Sequence, residues 1–233
     1  TTTNDSGLMW PGERGVTLLG VAHGTAGMAW ALARVAQATG DAGRARAADR
    51  AYAFVRRYYQ AAVANWPVAV GNDDAAAAGG TMNGWCHGAP GIAIASLTVA
   101  PDIVGALPDA HEPLFRAMAA WQPVQADHVC CGNLARAEAL LAAARADDGE
   151  LLERARTIGR RTVERARRRG HFRLSGTGTD YRVFDPGFFQ GLAGIGYELL
   201  RLARPRELPS VVAFEMPDSA VRYGSPGAEF PVL

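Results

Sequence analysis

Three observations predict an all-α fold built from repeated helical hairpins. First, four glycine-centred turns recur in order: His23-Gly24-Thr25-Ala26-Gly27, His87-Gly88-Ala89-Pro90-Gly91, Cys131-Gly132-Asn133-Leu134-Ala135 and Gln190-Gly191-Leu192-Ala193-Gly194. Their starts lie 64, 44 and 59 residues apart, room in each interval for one helical hairpin with its loops. Second, the runs that follow the turns, such as 92–99 and 192–202, are apolar on most faces, as helices packed inside a structure are. Third, 41–64 and 148–169 are rich in Ala, Arg and Leu with apolar residues at i, i+3 and i+4, and strand-like alternation is scarce.

Taken along the chain, the first turn delivers an inner helix after Gly27, and 41–64 supplies an outer one. Residues 71–84, with Asp-Asp, four alanines and Gly-Gly, read as a loop before the second turn. After the third turn, the dense arginines of 154–169 lie largely off the stripe Leu151, Ala155, Ile158, Thr162 and Ala166. They read as a solvated helix face, with a docking surface for an acidic peptide as the other reading. The Gly/Thr/Asp-rich stretch 169–186 is expected to be a loop or short hairpin close to the site. Residues 1–215 form one domain, and the polar, Pro/Gly-punctuated 216–233 is expected to be a weakly ordered tail.

Glycine at the turns allows the chain to approach the start of an inner helix without a Cβ in the way. The first N–H groups of each inner helix are expected to stay unsatisfied and point at the centre. If the hairpins surround an axis, the residues just before each glycine converge on one end of it: His23, Cys86, His87, Cys130, Cys131 and Gln190.

Composition sets limits. The 233 residues are 48% hydrophobic and 20% charged with net charge +1, which fits a globular domain and gives bulk electrostatics no case for nucleic acid or a membrane surface. No apolar run of about 18 residues is present, so no membrane span is expected, and without a leader pattern the expected compartment is the cytoplasm, where thiols stay reduced. All 24 basic residues are arginine, which resembles the codon bias of a GC-rich genome and weakens any reading of arginine clusters. The three cysteines, two of them adjacent, do not suit a disulfide framework. Two readings remain open for them: three small buried hydrophobes, or three thiolate ligands with an open fourth position, the pattern of a catalytic zinc site.

Four motifs in order resemble the lanthionine synthetase C-like cyclases, in particular the C-terminal cyclase region of class II lanthipeptide synthetases. They are Ala-His-Gly-Thr-Ala-Gly at 22–27, Asn-Gly-Trp-Cys-His-Gly-Ala-Pro-Gly-Ile at 83–92, Cys-Cys-Gly-Asn-Leu-Ala-Arg at 130–136 and Asp-Pro-Gly-Phe-Phe-Gln-Gly-Leu-Ala-Gly-Ile-Gly-Tyr at 185–197. Leu-Pro-Ser-Val-Val at 208–212 closes the series. The resemblance implies an α/α toroid, two concentric layers of helical hairpins with zinc at one end. It implies Cys86, Cys130 and Cys131 as the metal ligands, matching the family's three-cysteine subgroup. The implied reaction is thioether ring formation, in which a peptide cysteine adds to dehydroalanine or dehydrobutyrine of a dehydrated precursor peptide. His23 corresponds to the family's active-site histidine and is the implied acid/base group. His87 is a candidate for proton transfer or support.

The family's toroid has more hairpins than the four turns account for. The chain is therefore expected to be a partial barrel, with an N-terminal part and a dehydratase portion as possible partners. The alternative is a non-catalytic peptide-binding scaffold with structural zinc. A glycosidase on a similar toroid would need paired carboxylates, and none lie near the turns.

Overall fold

The computed structural model describes residues 2–4, 7–12, 15–72, 77–99, 111–144, 149–174 and 184–216. Seven α-helices lie among them: α1 (Thr25–Thr39), α2 (Ala42–Arg56), α3 (Ala89–Leu97), α4 (His111–Ala120), α5 (Asn133–Ala143), α6 (Gly149–Arg169) and α7 (Leu192–Ala203). The helix after each glycine turn is an inner one. α1 packs on α3, α3 on α5 and α5 on α7, while α2 lies against α1 and α6 against α5 and α7. This is the expected two-layer arrangement of an α/α toroid. The expected tail falls outside the described residues apart from Met216, as does 175–183 of the expected loop.

Burial follows the sequence pattern. Every residue of α3 from Ala89 to Ala95 is buried, as is every residue of α5 from Asn133 to Leu141. In α6 the buried positions are Ala155, Ile158, Gly159, Thr162 and Ala166, so the stripe faces inward and most arginines face out. Ile92 and Ile94 are fully buried, and each contributes about 1.5–3 kcal/mol relative to exposure. Between α1 and α2 the chain reverses within two residues: Gly40 closes α1 in the left-handed region at φ 70°, and the Asp41 side chain caps α2 by accepting from the Arg44 N–H at 2.9 Å.

Five short strands depart from a purely helical reading. β1 (Thr2–Asn4) pairs with β2 (Gly7–Met9), and β3 (Val16–Leu18), β4 (Pro67–Gly71) and β5 (Ala77–Thr81) form an antiparallel sheet in that order. Val16 stands opposite Gly71, and Pro67 opposite Thr81. The expected loop 71–84 thus contains β5, whose Ala/Gly sequence carries no strand signal of its own; pairing with β4 makes it one. α2 also ends at Arg56, short of the expected 64, and the chain after it reverses in a turn closed by the Gln60–Asn65 backbone pair. Buried Asn65 accepts from Trp66 N and Ala89 N, both at 2.8 Å, and donates to the Met82 carbonyl and Asn83 Oδ1. The outer helix α4 had no distinguishing signal in the sequence.

After α7, residues 208–215 turn back into the interior. Buried Arg201 donates from Nε to Glu138 Oε2 at 2.8 Å and from a terminal nitrogen to the Leu208 carbonyl, and Ser210 Oγ bonds the other Glu138 oxygen. This cluster sets the segment beside the second turn, where the Val212 carbonyl accepts the Trp85 indole N–H at 3.0 Å.

A three-cysteine candidate metal centre

The close approach expected at the turns is severe. A Cβ on Gly27, Gly91 or Gly194 would meet the carbonyl oxygen six residues earlier, those of Val21, Trp85 and Phe188, at 1.9, 1.9 and 1.8 Å. Each turn therefore folds back over the start of its own helix. The loop also takes up the helix's first N–H groups: Ala26 donates to Leu19 at 3.2 Å, Asn133 to Ala126 at 3.0 Å and Leu192 to Asp185 at 2.8 Å. In the second turn Asn65 accepts from Ala89. The expectation of free N–H groups aimed at the centre is thus corrected for these donors: in three turns a carbonyl just before the helix accepts, and in the second the Asn65 side chain does.

Adjacent turns are joined to one another by single backbone hydrogen bonds. Ala22 N donates to the Cys86 carbonyl at 3.2 Å, Trp85 N to the Cys130 carbonyl at 2.6 Å and Cys130 N to the Phe189 carbonyl at 2.9 Å. The second and third turns approach so closely that a Cβ on Gly84 would lie 3.0 Å from the Cys131 Cα. Cysteines 44 and 45 residues apart in sequence are thereby brought together. Cys86 Sγ lies 3.2 Å from Cys131 Sγ, and Cys131 Sγ 3.3 Å from Cys130 Sγ.

All three sulfurs lie within 4.8 Å of one another, and all three cysteines are free thiols. A tetrahedral metal with bonds of about 2.3 Å sets its sulfurs about 3.8 Å apart, within the 4.8 Å that bounds all three separations here, so the donors fit a metal ion. Their proton affinities are interlocked. Hydrogen bonds from Cys130 and Cys131 draw the Cys86 thiol down to about 2. Cys130 moves up to about 11: its hydrogen bond with Cys131 pulls it down, but the bond with Cys86, burial and the Cys86 charge outweigh that. Cys131 is pushed up by its hydrogen bonds to Cys130 and Cys86 and by burial. Loss of the first proton from the cluster is therefore favoured at Cys86, and each thiolate formed makes the next harder to form.

Of the other convergent residues, His23 is exposed and half-buried His87 stands beside it, with ring centroids 6.1 Å apart. The His87 Nδ1 is buried without a hydrogen-bond partner, pressed against Gly20. Burial pulls its pKa below the ordinary imidazole value, and the His23 charge adds to that while the Cys86 charge opposes it. Gln190 reaches Cys130 through its side chain. It also borders a cleft of about 490 Å3 with Met82, His128, Cys131 and Leu174.

Two neighbours of the cysteine pair emerge only from the fold. His128 is buried and accepts the Cys131 N–H at Nδ1, 3.2 Å away; the ring proton of the neutral form then sits on Nε2. Asp127 is 1% exposed and accepts from the Arg173 N–H at 2.9 Å, from Asn133 at 3.2 Å and from Arg165. These contacts hold the loop that carries Cys130 and Cys131. The adjacent Asp-His pair before the cysteines was the available signal. His111 opens α4, and His171 lies just beyond α6 with Nδ1 against the Arg169 carbonyl, outside the cysteine group.

Among the described residues no helix is long and apolar enough to cross a membrane. No curated protein matches the chain. A family model described as lanthionine synthetase C-like protein does match, over residues 2–213; with its paired helical layers and three converging cysteines, the chain belongs to the lanthionine synthetase C-like protein family.

Proposed function

We propose that the chain is a zinc-dependent cyclase that forms lanthionine or methyllanthionine thioether rings in a dehydrated precursor peptide. The observation that carries this reading is the three-sulfur cluster, with His87 next to Cys86 in the chain, His23 beside the His87 ring, and a cleft bordered by Cys131. Cys86, Cys130 and Cys131 would hold the metal, leaving one position of a tetrahedron for an incoming ligand. Zinc bound there would keep a peptide thiol ionised near neutral pH.

The remaining work falls to the protein's side chains. The new bond forms between the peptide sulfur and the β-carbon of dehydroalanine or dehydrobutyrine, the C=C π-bond breaks, and the α-carbon gains a proton. His23, exposed beside His87, takes the thiol proton and returns one to the α-carbon as a general base and then a general acid. His87 orients or relays to His23 from its buried position. The cleft bordered by Met82, Leu174 and Gln190 receives the peptide on either side of the reacting residues.

The test is metal analysis of the purified chain together with ring closure on a dehydrated peptide, read by loss of alkylatable thiol. One zinc per chain is expected, lost in Cys86→Ala and Cys131→Ala. His23→Ala should retain zinc and lose about 10²–10⁴-fold in rate. A chain that binds no zinc, or a His23→Ala variant with full activity, would overturn the assignment.

A further inference from the structure

A second polar cavity, of about 220 Å3, lies between α5, α6 and the loop after α4. Four guanidinium groups line it: Arg136 from α5 and Arg154, Arg161 and Arg165 from α6. Among the described residues no carboxylate lines it. Arg154 and Arg165 have acidic partners elsewhere, Glu150 at 2.9 Å and Asp127. Arg136 and Arg161 form no ion pair among the described residues.

Arg136 is unusual for an arginine on a helix. Only 6% exposed, it gives one terminal nitrogen to the Trp121 and Gln122 carbonyls at 2.5 and 3.4 Å, and its Nε has no partner. The Arg165 Nε is likewise buried and unpartnered. Burial, joined by repulsion from Arg161, lowers Arg136 to about 10; guanidinium groups keep their charge in proteins, and two in one cavity repel without a counter-charge between them. The ionic groups of the lining are all cations, two of them without an ion pair among the described residues, and this calls for a ligand with two negative charges. The volume falls below the roughly 300 Å3 at which pockets for drug-sized molecules begin. It suits a single tetrahedral group with water and excludes a nucleotide.

We propose that this cavity binds a small dianionic oxyanion of the phosphate class, held by Arg136, Arg161 and Arg165. The source is either free phosphate or a phosphate monoester on a small molecule or side chain. The solvated-face reading of the arginine helix holds for its outward positions; these arginines, turned toward α5, form a separate site.

Isothermal titration of the full chain with inorganic phosphate, at constant ionic strength set by chloride, should give saturable binding at one site. Arg161 is exposed and has no ion pair to lose, so Arg161→Gln is expected to fold normally and bind about tenfold or more weakly, the loss of one charge-assisted contact. Arg136→Gln should weaken binding further, and Arg168→Gln, outside the cavity, should leave it unchanged. O-phosphoserine binding as tightly as phosphate would identify a monoester as the source; phosphate binding alone would identify the free ion. Absence of saturable binding at millimolar phosphate, equal binding by Arg161→Gln, or acetate competing as well as phosphate would each overturn the proposal.

Discussion

Replacing Gly91 with alanine tests whether the turn geometry builds the metal centre. The added Cβ would stand 1.9 Å from the Trp85 carbonyl oxygen and 2.8 Å from its carbon, where ordinary contact begins at 3.4 Å. The obstacle is backbone, so about 1.5 Å of main-chain displacement is needed, at the upper end of the 1–3 kcal/mol typical of overpacking. At about 2–4 °C per kcal/mol for a domain of this size, the melting temperature should fall by roughly 6–12 °C. The displaced carbonyl belongs to the residue before Cys86, whose N–H side is tied to Cys130 at 2.6 Å, so metal affinity should fall as well. Gly196 is the matched control: it lies inside α7 with nothing within 4 Å of an added Cβ, and Gly196→Ala should be neutral or stabilising by up to about 1 kcal/mol. Circular dichroism melts and metal content measure both variants. A Gly91→Ala protein that melts with the parent and holds its metal equally well would refute the reasoning.

Arg201→Met should destabilise by about 3–5 kcal/mol in chemical denaturation, because it leaves buried Glu138 without its cation; removing both charges with Glu138→Gln/Arg201→Met should recover part of the loss. Asn65→Ala leaves the Trp66 and Ala89 N–H groups without their acceptor and should cost about 2–4 kcal/mol on the same assay. Buried Glu198 has its pKa raised well above 4.5 by burial first and by the Glu138 charge second. Its neutral form is favoured by folding, so its contribution is fully present below the unfolded value and is lost as pH rises through the folded one. Glu198→Gln should therefore flatten the decline of melting temperature as pH rises above 4.5, and an unchanged pH profile would count against a neutral Glu198. His128→Ala removes the acceptor of the Cys131 N–H and should weaken metal binding by about 10–100-fold in chelator competition while the helical content stays intact.

The sequence by itself determined the helices other than α4 and their inner or outer position, and its motifs, through the family they resemble, named the candidate ligands. Apolar periodicity and turn chemistry are local properties, and α3, α5 and α6 follow them closely. The glycines of the turns were legible because only a missing side chain fits against a carbonyl six residues back. The tertiary structure alone decided which turns are neighbours, since the bonds joining them run between backbone groups whose partners no side chain encodes. It made a strand of Ala77–Thr81, since β pairing depends on what lies alongside. It likewise assigned Asp127 and His128 to holding the cysteine loop and gathered Arg136 and Arg161 around one cavity: a polar side chain takes its role from the distant groups that burial presents to it.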